Sequence, residues 1–233
     1  MNVLNVWAST LMQTSFFRLL FVLALSIVVL MQSPIRAAEL NPTVFVDIRS
    51  INPRIALDIR YGTRNNFVKE TLYPQARCIL RASTARQLSQ VQTDLETRGL
   101  GLKVYDCYRP LSVQKRLWQI KPDERYVANP TYGSRHNRGA AVDLTLVDRT
   151  GKELPMPTGF DDFTERSSRS YTNLPAQVLK NRQLLEDAMV RAGFIPLSTE
   201  WWHFDGKDWQ NFSVRDVAFG AIASPPLNNS APK

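Results

Sequence analysis

Only two histidines occur among the 233 residues, and each sits in a short stretch crowded with chemically active side chains. His136 lies in Ser134-Arg135-His136-Asn137-Arg138-Gly139-Ala140-Ala141-Val142-Asp143, an imidazole followed by a carboxylate across a turn and the start of a strand. His203 closes Glu200-Trp201-Trp202-His203, far downstream. A chain that uses both imidazoles together must fold so that two segments distant along the polymer become neighbours.

The intervening sequence alternates strand and helix signals. Asn41-Pro42 and Asn52-Pro53 bound two short predicted strands, Thr43 to Ile48 and Ile55 to Ile59. Leu88, Val91 and Leu95 recur at helical spacing, which predicts a helix over Ser83 to Arg98 with Gly99 as its stop. Leu102 to Tyr105 reads as a buried strand, and Ser112 as the cap of a helix carrying Val113, Leu117 and Ile120 and ended by Pro122. Ala140 to Val147 is a predicted strand, apolar on both sides of Asp143. Val178, Leu185, Ala188 and Met189 place a helix over residues 177–192, with Gly193 after it, and Phe194 to Phe204 returns as one last core strand. This pattern predicts an α+β fold, with helices packed on a central, largely antiparallel sheet.

Composition and the termini set the context. A hydrophobic share of 44% and a charged share of 21% suit one folded domain, expected over residues 38–223. The net charge of +8 is spread without a run of Lys and Arg, which argues against a nucleic-acid partner. Attraction to an anionic surface, such as a cell-wall polymer or lipid headgroups, stays open. Arg18 precedes an apolar run from Leu19 to Met31, too short to span a bilayer comfortably, and Pro34, Ala37 and Ala38 follow. Residues 1–37 are therefore expected to be a signal peptide, with an uncleaved anchor as the alternative. The mature protein is expected in the periplasm, without a stable membrane partner, and residues 224–233, rich in Pro, Asn and Ser, as a disordered tail. In an oxidising compartment Cys78 and Cys107, the only cysteines, can form a disulfide; two buried thiols are the other reading.

The two histidine stretches contain the parts of a metal site. His136, Asp143 and His203 supply two imidazoles and a carboxylate, a three-ligand zinc set that keeps a fourth position for water. Glu200 is then available as a general base. On a regular strand an offset of three puts Glu200 and His203 on opposite faces, so Thr199-Glu200 is expected in a loop leading into the strand. Asp143, ionised within an apolar strand, is costly without a partner, and a cation would remove the cost. Ser134, two residues before His136, leaves open a serine nucleophile, a reading that gives His203 and Glu200 no role. In Asp106-Cys107-Tyr108-Arg109-Pro110, Asp106 can orient the Arg109 guanidinium toward a carbonyl that is gaining charge; a purely structural ion pair is the alternative. The expectation is a zinc-dependent hydrolase.

These residues resemble a known family. Ser134-x-His136-x6-Asp143 with Glu200-x-x-His203 is similar to the zinc D-Ala-D-Ala dipeptidases and carboxypeptidases of the VanX type, whose fold is shared by the hedgehog signalling domain. Ile59 to Phe67, Cys78 to Arg81, Asp106 to Pro110 and Phe160 to Phe163 look like dipeptidase segments in the expected order. The resemblance implies one zinc ion on His136, Asp143 and His203, Glu200 as base, and Arg109 as stabiliser of the carbonyl. It implies that Ser134 and Asp161 help bind the substrate ammonium, and that the substrate is the dipeptide D-Ala-D-Ala. Action on longer peptidoglycan stems and a non-catalytic, zinc-stabilised binding module are the alternatives. Where the family commonly reads Met-Gly-Thr before the Phe-Asp segment, this chain has Met156-Pro157-Thr158, so the shape of that loop is left open.

Overall fold

In a computed structural model, residues 41–222 are described. The predicted signal peptide and C-terminal tail lie outside these residues. Strand β1 (Phe45–Asp47) ends sooner than the sequence predicts, because Asp47 turns the chain. Its carboxylate accepts the Arg49 N–H at 3.0 Å and caps the short helix α1 (Ile48–Ile51). β1 pairs antiparallel with β3 (Ile79–Arg81) as a separate two-stranded ribbon.

The main sheet has five strands. β2 (Ala56–Leu57), β4 (Leu100–Asp106), β5 (Ala141–Asp148), β7 (His203–Asp205) and β6 (Ile195–Pro196) lie in that spatial order. Only the β2–β4 pairing is parallel, so the expected mixed α+β fold with a largely antiparallel sheet is what the chain adopts. Helices α2 (Ala82–Glu96) and α4 (Ala176–Arg191) contact one another, and pack on β4 and β5 respectively. Leu88, Val91 and Leu95 of α2, and Leu185 and Met189 of α4, are fully or almost fully buried, which is the apolar stripe their spacing foretold. From β5, Val142, Leu144 and Leu146 join this core. Asp143 and Thr145 therefore fall on the opposite face of the strand.

Two predictions need correction. Helix α3 (Leu111–Ile120) is capped from Pro110 rather than Ser112, since proline's fixed φ suits the entry and its missing N–H costs nothing there. Ser112 instead sends both its N–H and its hydroxyl to the Asp216 carboxylate, at 2.9 and 2.8 Å, setting a negative charge at the helix N-terminus. The predicted single strand from Phe194 to Phe204 is an antiparallel hairpin, β6 and β7, whose connection runs over residues 197–202. Cys78 and Cys107 form a disulfide with a Cα–Cα distance of 5.2 Å, tying the start of β3 to the end of β4.

Candidate active site

Register builds the site. Asp143 of β5 lies opposite His203 of β7 on one side and Asp106 of β4 on the other, so three adjacent strands present one row of polar side chains. A bulge makes this row possible. Val104 pairs with Leu144, but the next pair is Asp106 with Asp143, which leaves Tyr105 as the extra residue. Without it, Tyr105 would occupy the row and the Asp106 carboxylate would point into the other face.

His136 comes from a single 3-10 turn (His136–Arg138) just before β5. Gly139 ends that turn at φ +70°, where a side chain would be strained and would run into the Phe45 ring. Asn137, fully buried, fastens the turn: its carbonyl oxygen accepts the Ser134 N–H at 2.6 Å and its amide donates to the Arg109 carbonyl at 2.8 Å. The turn therefore delivers His136 to the row without being part of the sheet.

Hydrogen bonds set the His136 tautomer and the orientation of the His203 ring. His136 Nδ1 lies 2.7 Å from the Cys107 carbonyl, which can only accept, so Nδ1 carries the proton and Nε2 keeps its lone pair. His203 Nε2 lies 2.9 Å from an Asp205 carboxylate oxygen, which leaves Nδ1 for the row. Those two inward nitrogens are 3.1 Å apart, and Asp143 oxygens lie 3.3 Å from His136 Nε2 and 2.9 Å from His203 Nδ1. The three ligand atoms lie within 4.8 Å of one another, in a buried position. Two lone pairs facing each other beside a carboxylate repel unless a cation or proton lies between them. The chemistry of this donor set, two nitrogens and one oxygen, fits a zinc ion. Burial by itself would push the Asp143 carboxyl up, but the two imidazoles hold it well below the usual carboxylate range.

The hairpin settles the face problem posed by Glu200 and His203. Glu200 sits in the irregular connection ahead of β7, with its backbone N–H 3.4 Å from the Leu197 carbonyl, and its carboxylate swings to within 4.0 Å of His203 Nδ1. Burial pushes the Glu200 carboxyl up to about 7, with Asp143 adding to the effect and the imidazoles opposing it. A carboxyl poised there can take and return a proton near neutral pH. Beside it Trp201 donates its indole N–H to Thr158 Oγ1 at 3.0 Å, so the Met156-Pro157-Thr158 loop braces the Glu200 segment.

Arg109 is held on three sides. Its Nε and Nη2 donate to one Asp106 oxygen at 3.1 and 2.7 Å, Nη1 donates to Gln114 at 2.9 Å, and the guanidinium carbon stands 5.1 Å from the centre of the Tyr61 ring. Asp106 is fully buried and also accepts the Tyr73 hydroxyl at 2.7 Å and the Cys107 N–H at 2.9 Å. Asp161 adopts φ +58° and accepts the Tyr61 hydroxyl at 2.9 Å; burial, reinforced by the Asp143 charge, pushes its carboxyl well above the usual range. Ser134 Oγ accepts the His136 backbone N–H at 3.2 Å and makes no bond to the imidazole, whose two nitrogens are engaged elsewhere. The serine-nucleophile arrangement is therefore not formed. Arg109, Ser134, His136, Asp143, Asp161, Glu200 and His203 line one cleft of about 310 Å³.

A family model described as D-ala-D-ala dipeptidase matches residues 41–220. The chain belongs to the D-Ala-D-Ala dipeptidase family. It is 37% identical to the D-alanyl-D-alanine dipeptidase of Escherichia coli (strain K12) over 185 residues, covering 79% of this chain and 96% of the relative. The enzyme of that name from Enterococcus faecalis (strain ATCC 700802 / V583) is 31% identical over 168 residues, covering 63% of this chain and 83% of that one. Its counterpart from Enterococcus faecium is 29% identical over 172 residues, covering 65% and 85%. In this member of the dipeptidase family, sequence reasoning assigned no role to Asp205, Asn137, Gln114 or Tyr61. Asp205 alone carried a signal, since residues two apart on a strand share a face and His203 had already been singled out.

Proposed function

We propose that this chain is an exported dipeptidase that hydrolyses D-alanyl-D-alanine to two D-alanines, with one zinc ion per chain held by His136, Asp143 and His203. Bound there, zinc would supply a Lewis acid and lower the pKa of a water to about 7. The observation that carries the reading is the set of inward-facing Nε2, Nδ1 and carboxylate atoms beside Glu200 and Arg109 in one cleft.

The chain's own groups divide the work. Glu200 accepts the proton of the attacking water and returns it to the leaving amine. Arg109, immobilised by Asp106 and Gln114, offers positive charge to the carbonyl oxygen as it becomes anionic, without reorganising at that moment. Asp161 and Ser134 meet the substrate ammonium; an ammonium against Asp161 favours the carboxylate that burial disfavours. Export to the periplasm places the enzyme where it meets dipeptide from peptidoglycan turnover. No nucleic acid takes part, and the substrate is the one small-molecule partner.

Incubating purified mature protein with D-Ala-D-Ala and with L-Ala-L-Ala, with and without chelator, tests this. Chelator-sensitive release of D-alanine from the first substrate alone is expected; no release would end the proposal. A second cavity of about 390 Å³ shares Arg125, Tyr126 and Thr199 with the cleft. It favours, as the second reading, action on longer peptidoglycan stems, which a comparison of a muropeptide pentapeptide with the free dipeptide decides.

A further inference from the structure

The segment that carries Glu200 is irregular, and irregular backbone leaves carbonyls without sheet or helix partners. Two of these carbonyls, together with that of His203 at the start of β7, converge on one side chain. Arg169 donates from Nε to the Leu197 carbonyl at 2.8 Å, and from Nη2 to the Trp201 and His203 carbonyls at 3.0 and 3.1 Å. Its remaining terminal nitrogen, Nη1, donates to Glu186 Oε2 of α4 at 2.9 Å. The guanidinium carbon lies 4.4 Å from the centre of the Phe204 ring, and the side chain is only 10% exposed. The Arg169 backbone N–H reaches the same segment, at the Ser198 carbonyl, 3.0 Å away.

We infer that Arg169 is the positioning residue of the general base: its guanidinium straps Leu197, Trp201 and His203 together and so fixes where the Glu200 carboxylate stands. The inference rests on Glu200 acting as the base. Burying a guanidinium is costly unless its donors are satisfied in good geometry, and here two of the four bonds are spent on the six-residue connection and a third on His203, the residue just beyond it. The planar fork of arginine spans carbonyls on both sides of Glu200; a lysine ammonium, a single point of charge, cannot. Glu200 depends on this strap more than His203 does. His203 is also held by its β5 partner Asp143 and by Asp205, whereas Glu200 has a long backbone contact to Leu197 and no hydrogen bond to its carboxylate among the described residues. Arg169 touches neither the cleft nor the reacting atoms; its charge is felt at Glu200, and because Arg169→Lys keeps that charge, a loss in that variant reports the position of the base.

Arg169→Lys and Arg169→Ala separate this role from simple scaffolding. With D-Ala-D-Ala as substrate, kcat is expected to fall about tenfold to a hundredfold, as a base displaced by about 1 Å would cause, with KM changed far less. Zinc affinity, read by competition with a chromophoric chelator, is expected to stay within about threefold of wild type because the ligands keep their own supports. Millimolar methylguanidinium is expected to restore part of the Arg169→Ala rate and none of the Arg169→Lys rate. Unchanged kcat in Arg169→Lys would overturn the inference. So would a parallel loss of kcat and zinc affinity without rescue, which marks a residue that merely holds the fold. If Arg169→Ala fails to fold, Arg169→Lys alone still decides through its kcat and zinc affinity. Wild-type protein in the same assay keeps the two ideas apart: if it releases no D-alanine, the proposed function fails before Arg169 is tested.

Discussion

Asp205 holds His203 by its outer nitrogen, Nε2 to carboxylate oxygen at 2.9 Å, and thereby turns Nδ1 toward Asp143 and His136. The two residues are two positions apart on β7, on one face, and the β5 partner of Asp205 is the small Ala141. A carboxylate behind a ligating imidazole fixes its tautomer and raises its basicity. Replacing Asp205 by Ala is expected to weaken zinc binding about tenfold to a hundredfold, measured against a chromophoric chelator. An unchanged affinity would show that β-pairing alone orients His203.

The same environment makes metal uptake depend on pH. Burial disfavours an imidazolium at His203, yet the hydrogen bonds and charges of Asp143 and Asp205 prevail and raise its pKa to about 10. At neutral pH a cation must therefore displace a proton from that ring. Apparent zinc affinity is expected to rise with pH, about tenfold per unit between pH 6 and 8, and chelator competition at three pH values measures the slope. A flat profile would mean that no ligand releases a proton on binding.

Glu200→Gln keeps the shape of the side chain and removes the base. Turnover of D-Ala-D-Ala is expected to drop by about a hundredfold to ten-thousandfold with zinc content intact. In the wild type, kcat/KM is expected to fall as acid protonates Glu200. The burial-raised value of about 7 belongs to the side chain without a cation, and a nearby positive charge lowers it, so the midpoint is expected below pH 7. A pH–rate profile in which Glu200→Gln turns over as fast as the wild type, with the same acid limb, would remove Glu200 from the chemistry.

Asp106 is the buried anchor of the Arg109 guanidinium. Asp106→Ala would strand that cation in the interior beside an unsatisfied Tyr73 hydroxyl, and is expected to cost about 3–5 kcal/mol of stability in urea melts. Arg109→Lys keeps the charge but loses the fork. It is expected to lower kcat about a hundredfold to a thousandfold, the cost of losing one oxyanion donor, with the fold retained.

Opening the Cys78–Cys107 disulfide tests a different support. The bridge closes a loop with a sequence separation of 29, and a loop of that length is worth roughly 3–4 kcal/mol in the chain-entropy account. Melting the protein with and without reductant, alongside a Cys78→Ser/Cys107→Ser variant, is expected to show losses of that size in both. Equal stability of the oxidised and reduced forms would mean the bridge adds nothing to the fold.

Much was legible along the chain because it depends on local pattern. The apolar spacing in α2 and α4 and the glycine after each helix needed no tertiary information, since a 3.6-residue period is visible in a single segment. The two histidine stretches could be paired because the chain holds no other imidazole. The Phe194–Phe204 segment misled because a run of aromatic and apolar residues looks alike whether it is one strand or a hairpin whose connection buries Trp201 and Trp202. Ser112 misled because a proline entry and a distant carboxylate, Asp216, took over the cap.

The sequence by itself determined which side chains were available for metal chemistry and which segments carried the core. Only the tertiary structure decided that a bulge at Tyr105 puts Asp106 in the row, that Asp205 stands behind His203, and that Arg169 gathers the carbonyls around Glu200. The physical reason is range: helical and strand periodicity is set by neighbours along the chain, whereas register, tautomer and the burial of a guanidinium depend on partners the chain meets only after it has folded.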